Sequence, residues 1–227
     1  MLEAKALLIV AAALIQGGDL GDDARELPSA RNGAIGAAGL LAAGALFFAG
    51  DSGEQLEGAP VLSGTAHLTN AYGSSTVNLP GALGLWAAGR LTGAPALEGV
   101  VGRLTRALTL AQLVVAPIKL ATRRQRPDGS DKLSFPSGHT ANAFAVARLI
   151  HRQYGGRSAA PLYLVGALTG AGRLEGSRHY LSDVLMGAAV GFAVGSSVRV
   201  RGAEPTRFSV LPATVGAGMG VKLRARF

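Results

Sequence analysis

The chain has no cysteine, which excludes disulfides and thiolate metal sites and is compatible with any compartment. Aromatic residues make up only 5% of it, so basic side chains are not interleaved with stacking rings as a nucleic-acid surface requires. No DNA- or RNA-binding motif is present, and nucleic acid is therefore not expected as a partner. Charged residues are also sparse, 16% against 48% hydrophobic, and the mean hydropathy of +0.31 is higher than most soluble chains show.

What is present is glycine, alanine and an excess of positive charge. Glycine-rich helices can pack with their backbones close together. The net charge of +8 favours anionic partners: an anionic membrane surface or a phosphorylated substrate. At 227 residues the length favours one principal domain with a substantial core.

Residues 1–31 form an N-terminal segment. The apolar run Ala6–Ile15 follows Lys5, but Glu3 precedes it and no small-x-small cleavage site follows, so a secretory signal and an ordinary packing helix both fit. Gly17 to Asn32, broken by Pro28, is a predicted loop. Asn32 to Gly50 is apolar and uncharged, close to the length of a membrane span, and equally suited to a buried helix. Gly33, Gly36 and Gly39 lack the preceding strand and the spacing of a nucleotide loop. Asp51 to Leu79 has no sustained period, and its His67 reads as a loop or capping residue.

Residues 32–200 are predicted to form a helical domain. Helices are expected over Pro80–Arg90 and Pro95–Thr122, the latter with Val100, Leu104, Ala107, Leu108, Ala111 and Val115 on one face. Others are expected over Ser137–Gln153, Ala160–Gly170 and Tyr180–Val198. The last carries Gly187, Gly191 and Gly195, a close-packing stripe. His151, near a helix C-terminus, reads as a solvated residue. Residues 201–227 change to period two around Gly216–Gly220, which predicts a terminal β-hairpin; two strands cannot close an outer-membrane barrel. Arg90, Glu98, Arg103, Arg106 and Arg148 interrupt most helices, which favours a compact helical domain, soluble or resting on a membrane surface, over an integral one.

Three short runs carry chemistry. Lys119 and Arg126, before Pro127, bring two cations from a helix end and its following loop, the makings of a phosphate clamp. A solvated basic patch with Arg123 and Arg124 is the plainer alternative. In Pro136-Ser137-Gly138-His139, a capping serine and a glycine open a helix whose first N–H groups can hold an anion, with His139 in the first turn. His179 and Asp183, four apart, share a helical face, where the carboxylate can fix one imidazole nitrogen and leave the other nucleophilic. Arg173, six residues before His179, can add a third cation.

Read in order, the runs Lys-x6-Arg-Pro, Pro-Ser-Gly-His and Arg-x5-His-x3-Asp resemble the motif of the type 2 phosphatidic acid phosphatase (PAP2) superfamily, which is related to the vanadium haloperoxidases. One position departs from it: Gly172 stands where the family has a serine before the arginine, removing a supporting hydroxyl. The resemblance implies an all-α bundle of the PAP2/haloperoxidase type and a phosphatase acting on a lipid phosphate or isoprenyl diphosphate. It implies His179 as nucleophile forming a phosphohistidine, Asp183 orienting it, and His139 as acid. Lys119, Arg126, Ser137, Gly138 and Arg173 would hold the phosphate, with no metal or other cofactor. A vanadium haloperoxidase and a lipid phosphotransferase are the alternatives on the same constellation. A small soluble phosphate ester is a possible substrate, contact with a membrane surface is expected, and the location implied is the cell envelope, periplasmic or membrane-associated.

Overall fold

Small residues at helix contacts set the architecture. In a computed structural model, residues 19–49, 51, 71–93, 95–200, 207–215 and 218–226 are described. They form α1 (Asp19–Arg25), α2 (Ala30–Phe48), α3 (Ser75–Leu91), α4 (Pro95–Thr122), α5 (Gly138–Tyr154), α6 (Gly156–Glu175) and α7 (Leu181–Ser197), then β1 (Arg207–Val215) and β2 (Gly218–Arg226). The fold is an all-α helical bundle, with β1 and β2 paired antiparallel after it. The N-terminal apolar run, His67 and the turn at residues 216–217 lie outside the described residues.

The centre of the bundle is α7, which packs on α5 and α2, while α5 also packs on α6 and α4. The glycine stripe explains the closeness of α5 and α7. A Cβ at Gly187 would overlap the Ser137 carbonyl, one at Gly191 the Ala141 carbonyl, and one at Gly195 would lie 2.6 Å from the Ala145 carbonyl. Only hydrogen fits at these positions. Around this seam Ala107, Ala111, Val115, Ala141, Ala145, Leu149, Val190 and Val194 are buried, and of the apolar face expected of α4, Leu104, Ala107, Ala111 and Val115 join this cluster.

Two helices start earlier than expected, at Ser75 rather than Pro80 and at Gly156 rather than Ala160. Pro80 and Pro161 lie inside α3 and α6. Both prolines are exposed, where solvent can serve the carbonyl each leaves without its helical donor, so neither marks the first residue of its helix. The expected loop before Asn32 contains α1. Its Leu20 reaches the core, and its buried Asp23 accepts from Arg106 Nε at 2.7 Å and from Arg199 N at 2.8 Å.

Those pairings bear on the charges that interrupt the helices. Arg106 is committed to Asp23, and Arg148 donates from Nε to Ser196 Oγ at 2.8 Å with its guanidinium over Phe192. Both turn inward. Among the described residues, Ala30–Phe48 and Gly99–Thr122 are long and apolar enough to cross a membrane by length and composition. On α2, Leu41 and Phe48 are 75% and 89% exposed. His151, expected to be solvated, is half-buried, with Nδ1 3.2 Å from the Tyr163 hydroxyl and the two rings edge to face.

Candidate active site

Each of the three runs sits at a helix end, and the ends converge. α4 stops at Thr122 because Arg123 adopts a left-handed conformation (φ +46°), a shape that turns the chain out of the helix. Lys119, in its last turn, donates from Nζ to the Leu133 and Ser134 carbonyls. Arg126 enters from the loop. Its Nε donates to Asp131 Oδ1 at 2.7 Å and its Nη1 to the Arg178 carbonyl at 3.0 Å, which fixes the plane of the guanidinium.

Ser137 caps α5: its hydroxyl oxygen accepts from Thr140 N at 3.4 Å and from Thr140 Oγ1 at 3.0 Å. Its own N–H donates to the Asp183 carbonyl at 2.9 Å, so the start of α5 is tied to the start of α7. Gly138 opens α5 and His139 follows it.

The six-residue offset between Arg173 and His179 has a backbone cause. α6 ends just after Arg173, Ser177 is left-handed (φ +49°), and the N–H groups of Arg178 and His179 both donate to the Arg173 carbonyl at 3.0 and 3.2 Å. A helix end plus one tight turn thus sets the two residues side by side.

His179 is 1% exposed and Asp183 is fully buried. Nδ1 of His179 faces Asp183 Oδ2 at 3.5 Å, longer than a formed hydrogen bond but close enough for the carboxylate to favour a proton there. Asp183 Oδ2 also accepts from Ser134 Oγ and from Tyr180 N (2.9 Å), and Oδ1 accepts from Arg124 Nη1 at 2.7 Å. Burial alone would raise the carboxyl's pKa. The pairings with His179, Ser134, Tyr180 N–H and Arg124 overcome it and hold the group below the usual carboxylate range.

The imidazoles are pushed the other way. His139 falls to about 3, first through burial and then through Arg173, His179, Lys119 and Arg126. His179 falls to about 4, again through burial first, with Asp183 opposing and Lys119 and Arg126 reinforcing. That the same cations act on both rings is itself geometric information: the residues expected from the sequence are gathered in one place. The structure brings together Lys119, Arg126, Ser137, Gly138, His139, Arg173, His179 and Asp183.

Three further residues were not legible as site residues. Gly73 lies against His139 so closely that a Cβ there would come within 2.8 Å of the His139 Cβ and 2.9 Å of Thr169. Its carbonyl is held by Asn142 Nδ2 at 3.0 Å. Arg124 is not part of a solvated patch but pairs with Asp183 and with Asp51. Nothing in the local sequence distinguishes Gly73 or Asp51 from their neighbours, and Arg124 is one of three arginines in four positions.

A sequence model of the PAP2 superfamily matches residues 128–201, the stretch holding Ser137, Gly138, His139, Arg173, His179 and Asp183. Over 80 residues, 34% of this chain and 18% of the other, the chain is 51% identical to a lipid A 1-phosphatase of Porphyromonas gingivalis. It is 37% identical over 98 residues, 39% of this chain and 54% of the other, to a decaprenylphosphoryl-5-phosphoribose phosphatase of Mycobacterium tuberculosis. The chain thus spans 18% and 54% of the length of these two curated relatives. A transmembrane PAP2-type phosphatidylglycerolphosphate phosphatase from Bacillus subtilis shares the fold, with a TM-score of 0.50 at 23% identity, over 85% of this chain and 90% of that one. Residues 128–201 thus match the PAP2 superfamily and sit within an all-α bundle.

Proposed function

We propose that the chain is a metal-independent phosphatase that removes phosphate from a lipid phosphate or isoprenyl diphosphate through a phosphohistidine. The observation that carries this is the gathering of two buried imidazoles with three cations: Lys119 and Arg126 act on both rings and Arg173 on His139.

The roles follow from donor geometry. Lys119, Arg126 and Arg173 supply the charge that a metal would otherwise bring to the three equatorial phosphate oxygens. Ser137, already accepting twice from Thr140, has a hydroxyl hydrogen to give, and the first N–H groups of α5 lack intrahelical acceptors. Arg126 Nη1 lies 3.2 Å from His179 Nε2. A guanidinium only donates, so Nε2 carries the lone pair and the ring proton sits on Nδ1, towards Asp183.

In the first step Nε2 of His179 bonds to phosphorus as the bond to the leaving oxygen breaks, and His139 gives that oxygen a proton. In the second, water attacks phosphorus, its proton passes to the now neutral His139, and the P–N bond breaks to free phosphate and His179. His139 is depressed in the empty site by burial and cations; an incoming phosphate carries negative charge among those cations and restores its hold on a proton.

The lipid class rests on the apolar exposure of α2, where Leu40, Leu41, Phe47 and Phe48 face outward, and on the two relatives being a lipid A 1-phosphatase and a decaprenylphosphoryl-5-phosphoribose phosphatase. The same surface supports a membrane-associated location in the cell envelope. The test is phosphate release from a lipid phosphate and an isoprenyl diphosphate in mixed micelles, with and without EDTA. Release that persists in EDTA and disappears in His179→Ala is expected; release lost with EDTA, or unchanged in the variant, would overturn the proposal.

A further inference from the structure

Arg124 and Asp51 stand outside the three runs, yet both are spent on the carboxylate that faces His179. We propose that they form a positioning pair that fixes the orientation of Asp183 and, through it, the tautomer of His179; this rests on the phosphatase reading above.

The left-handed Arg123 swings the next residue back over the start of α7. There Arg124 Nη1 donates to Asp183 Oδ1 at 2.7 Å and to Ser182 Oγ at 2.5 Å, and Nη2 lies 3.5 Å from Asp51 Oδ2. The guanidinium is clasped between rings, 3.9 Å from the Tyr180 centroid and 5.2 Å from that of Phe47, and its side chain is 16% exposed.

Asp51 comes from the far end of α2. Its side chain is 2% exposed, and its oxygens accept from Leu181 N at 3.2 Å and Ser182 N at 3.0 Å. It therefore caps α7 from another part of the chain, and its charge is met by both the helix N-terminus and Arg124.

The division of labour is clear at Asp183. Oδ2 takes Ser134, the Tyr180 N–H and the approach of His179 Nδ1, whereas Oδ1 takes Arg124. Arg124 thus blocks rotation of the carboxylate away from the imidazole. Its fork reaches two carboxylates at once, which a lysine cannot do in the same plane. A buried carboxylate deprived of that cation holds a proton more readily, and a protonated Asp183 no longer favours Nδ1–H on His179.

The test compares Arg124→Lys, Arg124→Gln and Asp51→Asn with the unaltered full chain and His179→Ala, using p-nitrophenyl phosphate. Expected is a loss of kcat of roughly 10- to 100-fold with KM changed by less than about threefold, the size of loss usual when the outer partner of a ligand histidine is removed. The ¹⁵N signals of the His179 ring, recorded without substrate, should show less Nδ1–H tautomer in Arg124→Lys and Asp51→Asn. Wild-type kcat and an unchanged ring signal in those two variants would overturn the proposal, whether or not Arg124→Gln folds. Absence of turnover in the unaltered chain would instead count against the phosphatase reading, and the ring signal would still decide the positioning role.

Discussion

The Nη1 of Arg126 meets Nε2 of His179 at 3.2 Å, and the same guanidinium is held by Asp131 and the Arg178 carbonyl. The nitrogen proposed as nucleophile is therefore aimed into the cationic cluster before any substrate arrives. Arg126 has to be an arginine for this, since lysine cannot make all three contacts from one plane. Arg126→Lys should lower kcat/KM by about 100-fold, or roughly 2.7 kcal/mol of transition-state stabilisation, and weaken inhibition by orthovanadate. Unchanged kcat/KM and vanadate affinity would show that Arg126 is not a phosphate ligand.

His139 is assigned the proton given to the leaving oxygen, so its importance should scale with how much that oxygen needs it. His139→Asn should slow an alkyl phosphate by about 10² to 10⁴, the usual worth of general acid catalysis. A p-nitrophenyl ester, whose leaving group departs as an anion, should be slowed much less. An equal loss for both esters would remove His139 from the acid role.

The two depressed imidazoles also make stability depend on pH. Their native values, about 3 for His139 and about 4 for His179, lie below the unfolded value near 6.5. Between about pH 6.5 and 4.5 the unfolded chain binds protons that the native one does not, so stability falls as pH falls through that window. The effect is on the order of 2 kcal/mol for each ring. Thermal midpoints should drop from pH 7 to pH 4.5, and His139→Asn combined with His179→Asn should flatten that drop. An equally steep drop in the double variant would assign it to other groups.

The seam between α5 and α7 leaves no room for a methyl group at Gly191, where a Cβ would run into the Ala141 carbonyl. The obstacle is backbone, which cannot rotate away. Gly191→Ala should destabilise the fold by about 2–3 kcal/mol or more and, by shifting α7 and the Asp183 at its start, lower activity as well. Gly33, by contrast, meets nothing within 4 Å, so Gly33→Ala should leave the melting midpoint unchanged or slightly raised. Similar midpoints for the two variants would contradict the packing account.

Much of this arrangement was legible because three runs, read in order, resemble the PAP2 motif, although each alone has a plainer reading. Lys119 with Arg126, the Ser137-Gly138-His139 turn, and Arg173, His179 and Asp183 could all be named from the chain, and α4 could be bounded at Pro95 and Thr122. The supporting residues could not. Asp51 reaches α7 across 130 positions, Gly73 touches His139 through backbone shape alone, and Arg124 differs from its neighbour Arg123 only because one left-handed residue turns it inward. Long-range contacts leave no local period. Proline misplaced the start of α3, because the sequence shows the lost N–H at Pro80 but not that the helix already begins at Ser75.

The central claim is the covalent bond to His179, and quenching turnover in strong base during the steady state tests it most directly. Substrate carrying ³²P should leave label on the protein that is stable to alkali and lost in acid, as a phosphoramidate is, and peptide mapping should place it on the segment holding His179. Label on any other residue, or label persisting in His179→Ala, would contradict the account.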